Sequence, residues 1–138
     1  MVAGRWSGCL GGPAVRAARD PAEITLVAVT KTWPAEVLVA AYDAGIRDIG
    51  ENRAEELARK RDELKGAIPE SDPLVWHQIG TLQSRKTKLA AENADVFHAL
   101  DRVKIANRLS SQLVELGRDI LDRLGYKVVT KDNGIDAL

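Results

Sequence analysis

Apolar and polar positions along the chain define two kinds of stretch. Short runs rich in branched side chains predict β-strands, and longer stretches with charged residues at helical spacing predict helices. The first run, residues 24–30, is apolar almost throughout, which predicts a strand buried on both faces. The later predicted strands are residues 46–49, 74–79, 95–100 and 127–130, and the predicted helices are residues 34–44, 53–65, 83–93 and 101–124.

Individual residues predict how these helices begin and what stabilises them. Asp101 precedes the fourth helix and is a favourable residue type for capping its first backbone amides. In the second helix, Glu55 stands four residues before Arg59, and Glu56 stands four residues before Lys60. This order favours ion pairs along the helix surface.

The alternation of strands and helices predicts an α/β fold with a parallel sheet and right-handed crossovers. Four to five βα units suit either an open doubly wound sheet or part of a barrel. An eight-stranded barrel usually needs far more than the 138 residues present here. We find no internal repeat, low-complexity segment or linker.

Composition narrows the possible partners. Twenty basic and twenty acidic residues cancel, which argues against nucleic acid or an anionic membrane as the main partner. No apolar stretch is long enough to span a bilayer. Cys9 is the only cysteine, which excludes a disulfide framework and a thiolate metal cluster and favours a reducing cytoplasm. Residues 1–15 have no clear period, so we expect them to be poorly ordered.

Polar side chains follow the predicted strands. Lys31 ends the first strand, Asn52 follows the second, and His77 lies near the end of the third. The carboxyl ends of parallel strands share one rim of a sheet, so the three could converge on one ligand. A buried, neutral amine attacks aldehydes, so Lys31 suggests a Schiff base with a carbonyl ligand such as pyridoxal phosphate. The alternatives are that Lys31 extends into water and that His77 is a packing residue.

A cluster of basic residues opens the third predicted helix. It reads Ser-Arg-Lys-Thr-Lys over residues 84–88. Cations at a helix start can attract a phosphate, although such a run is more often a solvated face.

Several motifs resemble the signature blocks of one family. They are Leu-Val-Ala-Val-Thr-Lys-Thr over residues 26–32, Gly-Glu-Asn over residues 50–52, Trp-His-Gln-Ile-Gly-Thr-Leu-Gln-Ser-Arg-Lys over residues 76–86, and Asp101-Arg102 with Ile105, Ala106 and Leu109. Their order and spacing are similar to those of the pyridoxal phosphate homeostasis proteins, relatives of the alanine racemase N-terminal barrel. The resemblance covers residues 16–112.

The resemblance implies a (β/α)₈ barrel that holds pyridoxal phosphate through a lysine Schiff base. Lys31 matches the Schiff-base lysine, and Asn52 and His77 match positions on the cofactor side. The family carries or buffers the cofactor, so the resemblance implies a non-catalytic binding protein. Its later strands, which grip the phosphate, have no counterpart here. We therefore expect half of a barrel, with weakened retention of the cofactor and a homodimer formed through its exposed sheet edges.

The last stretch, residues 113–138, has a different character. It resembles a helix and strand of a response-regulator receiver domain, and we expect it to pack on the same domain. No phosphorelay role follows, because the phospho-accepting aspartate has no match here. Two further readings stay open: an inactive chimeric or truncated fragment, and a racemase-type enzyme. A racemase needs an acid–base group opposite Lys31, and neither Tyr42 nor Tyr126 stands where one is expected.

Overall fold

The computed structural model describes residues 7–117, and their side chains from residue 12 onward. Helices and strands alternate along this part of the chain. The helices are α1 (Ser7–Arg16), α2 (Ala35–Asp43), α3 (Ala54–Glu63), α4 (Thr87–Asn93) and α5 (Val103–Glu115), with short 3₁₀ turns at Pro21–Glu23 and Ser84–Lys86. The strands are β1 (Val27–Val29), β2 (Asp48–Glu51), β3 (Val75–Gln78) and β4 (Val96–Phe97).

The four described strands form one parallel sheet in the order β1-β2-β3-β4. Each helix between two strands returns the chain to the same end of the sheet, which is the crossover that parallel pairing requires. Ile49 in β2 is paired with Ala28 on one side and with Trp76 on the other. The α/β class with parallel βα units is confirmed.

The core lies between one face of the sheet and the helices. Ile49 and Trp76 point to this face and pack with Leu38 of α2 and Leu57 of α3. A second apolar cluster joins α4 to α5 and includes Ala90 and Leu109. Helices therefore cover one face of the sheet over the described residues.

The first strand differs from its prediction. β1 spans only three residues and lies at the edge of the described sheet, where the side chain of Val29 is 50% exposed. The expectation of a strand buried on both faces is wrong for this part of the chain, because no described element covers the outer side of β1. A run of apolar residues cannot distinguish a central strand from an edge strand whose other cover lies elsewhere.

Two predicted details of the helices are also wrong. Asp101 does not cap α5, because Arg102, in extended conformation, is the residue that precedes this helix. The Asp101 carboxylate instead accepts a hydrogen bond from Arg102 Nε at 3.0 Å. Glu55 does not pair with Arg59 and instead binds Lys86 across to the next βα unit. The predicted Glu56–Lys60 pair is confirmed, at 2.9 Å.

The ends of the chain are described only in part. Of the segment predicted to be poorly ordered, the described residues from Ser7 onward lie in α1. The helix α5 continues across the predicted boundary at residue 113 and is followed by Gly117, with φ of 62°. The predicted strand at residues 127–130 and the rest of the receiver-like tail lie outside the described residues. Within residues 7–117, no helix has the length and apolar content needed to cross a membrane.

Candidate cofactor-binding site

The register of the sheet brings the three predicted site residues to one rim. Val29 is paired with Gly50, and Gly50 is paired with His77. Lys31 and Asn52 each lie two residues beyond this level, at the carboxyl ends of β1 and β2. The predicted convergence on a single rim therefore agrees with the topology of the sheet.

Lys31 lies in a strained turn that joins β1 to α2. Thr32 has φ of 70°, a left-handed conformation that is rare for a β-branched residue. The N–H of Thr32 donates to Glu56 Oε1 at 2.9 Å, which holds the turn to α3. Lys31 itself is exposed, so the expected burial of its amine is wrong over the described residues. Its amine forms no ion pair with any residue in this range.

A buried ionic network lies beneath this turn. Lys60 is completely buried, and its Nζ lies 2.6 Å from Glu51 Oε1, 2.9 Å from Glu56 Oε1 and 2.7 Å from the carbonyl oxygen of Thr30. The hydroxyl of Thr30 donates to the same Glu51 oxygen at 2.6 Å. The hydrogen bond from Lys60 holds the pKa of Glu56 below its usual value. The network fixes the residues on both sides of Lys31.

Sequence reasoning missed this network because it treated Lys60 as a surface residue. A signal was present: Ala54, Leu57 and Leu64 recur at helical spacing with Lys60, and this stripe is the buried face of α3. A lysine on such a face must find partners for its ammonium group. In the structure, Glu51 at the end of β2 is one of these partners.

His77 is buried and both of its ring nitrogens are in hydrogen-bond contact. Nε2 lies 2.9 Å from Asp48 Oδ1, and Nδ1 lies 2.8 Å from His98 Nε2. A carboxylate only accepts, so we assign the Nε2 proton to the bond with Asp48, and Nδ1 then accepts from His98. His77 orients the exposed His98 and has no ring nitrogen left for a ligand. The packing reading of His77 is thus the one that its contacts favour.

Asn52 is exposed, and its backbone supports the next βα connection. Its carbonyl oxygen accepts from Gln78 Nε2 at 2.9 Å. A Cβ at position 80 would lie 2.2 Å from that carbonyl oxygen, so Gly80 is required for the two connections to approach.

Comparisons with known proteins agree with the motifs. No protein-family profile matches the chain. A pyridoxal phosphate homeostasis protein of Pseudomonas aeruginosa is 48% identical over 96 residues, which cover 70% of this chain and 40% of that protein. The protein of the same name from Escherichia coli is 44% identical over 103 residues, or 75% of this chain and 43% of that protein. The chain is a relative of the pyridoxal phosphate homeostasis proteins. It spans less than half the length of these two relatives.

A solved structure extends the relationship to the fold. PipY of Synechococcus elongatus, solved with pyridoxal phosphate bound, superimposes with a TM-score of 0.66 at 39% identity. The match covers 79% of this chain and 50% of PipY. The chain thus has the predicted architecture of parallel βα units, and these units match about half of PipY. The receiver-like tail stays a prediction.

Proposed function

We propose that this chain binds pyridoxal phosphate covalently through Lys31, as a cofactor-binding and homeostasis protein and not as an enzyme. The observation that carries the proposal is the Lys31 amine, which has no ionic partner among the described residues and lies on a strained turn. A buried network holds this turn at the rim of a parallel sheet. The names of its relatives and the ligand in PipY support the same ligand. When bound, pyridoxal phosphate supplies an aldehyde that combines reversibly with amines.

The residues of the chain fit the aldehyde end of this ligand. Lys31 is accessible, and the tethered Thr32 limits the positions that its amine can reach. Asn52 presents an exposed amide on the neighbouring strand end. We assign His77 the indirect role of orienting His98 at this rim. Because the described residues leave Lys31 exposed, we expect the attachment to be weak and reversible.

A specific contact argues against the racemase alternative. The hydroxyl oxygen of Tyr42 lies 3.0 Å from both the carbonyl oxygen and Oδ2 of Asp72, and these two acceptors share its one proton. This phenol is therefore engaged in a contact away from Lys31, and no other described residue offers a phenol. A binding role, which needs no second acid–base group, fits the site better.

The experiment is a titration with pyridoxal phosphate followed by borohydride reduction and peptide mass spectrometry. We expect the label on the peptide that contains Lys31 at substoichiometric ligand, with at least about a tenfold loss of labelling in Lys31→Ala. Exposed amines react with aldehydes nonspecifically, so the matched control is Lys88→Ala, another exposed lysine. Equal labelling of the Lys31→Ala and Lys88→Ala variants would exclude Lys31 as the site.

We further propose that the chain acts in the cytoplasm and forms homodimers through the edge of its sheet. A single cysteine among 138 residues favours a reducing compartment. The edge strand β1 carries the half-exposed Val29, and Trp33 beyond it is 56% exposed. An unpaired parallel edge flanked by apolar side chains favours association with a second copy.

A further inference from the structure

A polar cleft lies between the connection that follows β2 and the connection that follows β3. Its volume is about 290 Å³. Its walls include Asn52 and Arg53 from the first connection, Arg85 and Lys86 from the second, and Gln78 from the end of β3. No residue of the Lys31 turn lines the cleft, and Asn52 is the one residue that the cleft shares with the proposed pyridoxal phosphate site.

Positive charge dominates the cleft. Arg53, Arg85 and Lys86 face one carboxylate, that of Glu55, which already binds Lys86. The hydrogen bond from Lys86 holds the pKa of Glu55 below its usual value, so this carboxylate stays ionised at neutral pH. The Arg85 guanidinium contacts only the neutral amide of Gln83, at 3.1 Å, among the described residues. Two guanidinium groups thus remain without a carboxylate partner in this range.

The helix α3 begins at the same cleft. Arg53 precedes it and makes no side-chain hydrogen bond to the first amides of the helix. The N–H of Glu55 already donates to its own carboxylate, so this end of the ten-residue helix contributes chiefly its partial positive charge to an anion.

Gln78 supplies an independent sign that a ligand belongs here. Its side chain is 2% exposed, and its Nε2 donates to the carbonyl oxygens of Asn52 and Gly80. These bonds fix the orientation of the amide, because the opposite orientation would set oxygen against oxygen. Its Oε1 is buried without a hydrogen-bond partner among the described residues. A buried acceptor without a donor is costly, so an occupant that carries an N–H or O–H group would relieve it.

We propose that this cleft is a second ligand site that binds a hydrogen phosphate group, with its oxygens on Arg53, Arg85 and the start of α3 and its O–H on Gln78 Oε1. Tetrahedral oxyanions suit several converging donors. The O–H group distinguishes hydrogen phosphate from other oxyanions, since an anion without a proton leaves Gln78 Oε1 without a donor.

The test compares phosphate with sulfate, which has the same shape but no O–H near neutral pH. Calorimetric titration of the full chain with each sodium salt, at equal ionic strength, measures both affinities. We expect phosphate to bind at least about tenfold more tightly, because the lost hydrogen bond leaves a buried acceptor unpaired. Amide chemical shifts at residues 53–55 and 84–86 should move with phosphate.

Variants locate the site. Arg53→Met/Arg85→Met should lose most phosphate affinity, whereas Lys88→Met, which removes an exposed cation outside the cleft, should keep it. If circular dichroism shows that the double variant is unfolded, the single variant Arg85→Met, at an exposed position, replaces it in the binding measurement. Lys31→Ala should retain phosphate binding, so a failure of the pyridoxal phosphate proposal leaves this one standing. Equal affinity for the two anions, no saturable phosphate binding, or unchanged binding in the arginine variants would overturn the proposal.

Discussion

Lys60 combines a structural role with an indirect role at the rim. Its side chain is fully buried, yet its ammonium group has three oxygen partners. They are the carboxylates of Glu51 in β2 and Glu56 in α3 and the carbonyl oxygen of Thr30 after β1. The Glu56 carboxylate, which binds Lys60, also accepts a hydrogen bond from the N–H of Thr32. One residue in the core thus determines where the turn with Lys31 lies.

Replacing Lys60 by methionine should destabilise the fold strongly. The change leaves the buried Glu51 carboxylate without its cation, which costs about 3–5 kcal/mol of unfolding free energy. The matched control is Lys65→Met, whose pair with Asp62 is exposed on both sides and should leave stability almost unchanged. Urea unfolding curves of both variants measure the difference. Equal stability of the two would mean that Glu51 finds another partner.

The sequence predicted which polar residues lie near the strand ends but not what surrounds them. It identified Lys31, Asn52 and His77 as neighbours at strand ends, and the register of the sheet brings them to one rim. It did not show that His77 is held by Asp48, because that contact joins residues on two different strands. Such contacts depend on the register between strands, which the sequence of one strand alone does not determine.

At the scale of elements, the connections after β2 and β3 are in unusually close contact. Gly80 lies against the backbone of Asn52, and the side-chain amide of Gln78 donates hydrogen bonds to a carbonyl oxygen in each connection. This contact places the two walls of the phosphate-binding cleft at a fixed separation. The connections are therefore part of the rigid framework of the fold.

The close approach predicts that Gly80→Ala will be costly. The added Cβ would meet the Asn52 carbonyl oxygen at 2.2 Å, which forces backbone movement and should cost roughly 1–3 kcal/mol. Gly12→Ala is the control, since Gly12 lies in α1 with its nearest neighbour at 3.7 Å. An alanine there should stabilise the helix by up to about 1 kcal/mol. Thermal unfolding of both variants should give shifts of opposite sign, and a harmless Gly80→Ala would disprove the close contact.

The helices were more predictable than the strands. The starts and ends of α2 and α3 lie within two residues of those expected from Pro34, Gly45 and Gly66, because these residues act locally. Three of the four described strands are shorter than predicted, and β2 keeps its predicted length but is shifted by two residues, because a strand ends where pairing with its neighbour stops. β4 has only two paired residues although its run is longer.

At the scale of the whole molecule, as far as residues 7–117 describe it, helices cover one face of the sheet and the β1 edge has no neighbouring strand. Val29 and Trp33 lie at or beyond this edge and are about half exposed. Exposed apolar side chains beside unpaired backbone groups favour association. This arrangement agrees with a chain that corresponds to half of PipY.

A charge on the edge strand should weaken the proposed homodimer. We expect Val29→Lys to shift the dimer dissociation constant upward by about tenfold or more, because a charged edge strand opposes pairing. Val114→Lys, at a 70% exposed position on α5, controls for the added charge. Sedimentation velocity at several concentrations measures both. A strictly monomeric parent chain, or an equal effect of both lysines, would refute association through this edge.

The tether between Thr32 and Glu56 has a consequence for ligand detection. A molecule that attaches to Lys31 joins a turn that the Glu56 carboxylate links to the fully buried Lys60. Occupancy at the rim and resistance to unfolding are then thermodynamically linked. If pyridoxal phosphate binds at Lys31 as proposed, the melting temperature of the chain should therefore rise with the concentration of the cofactor.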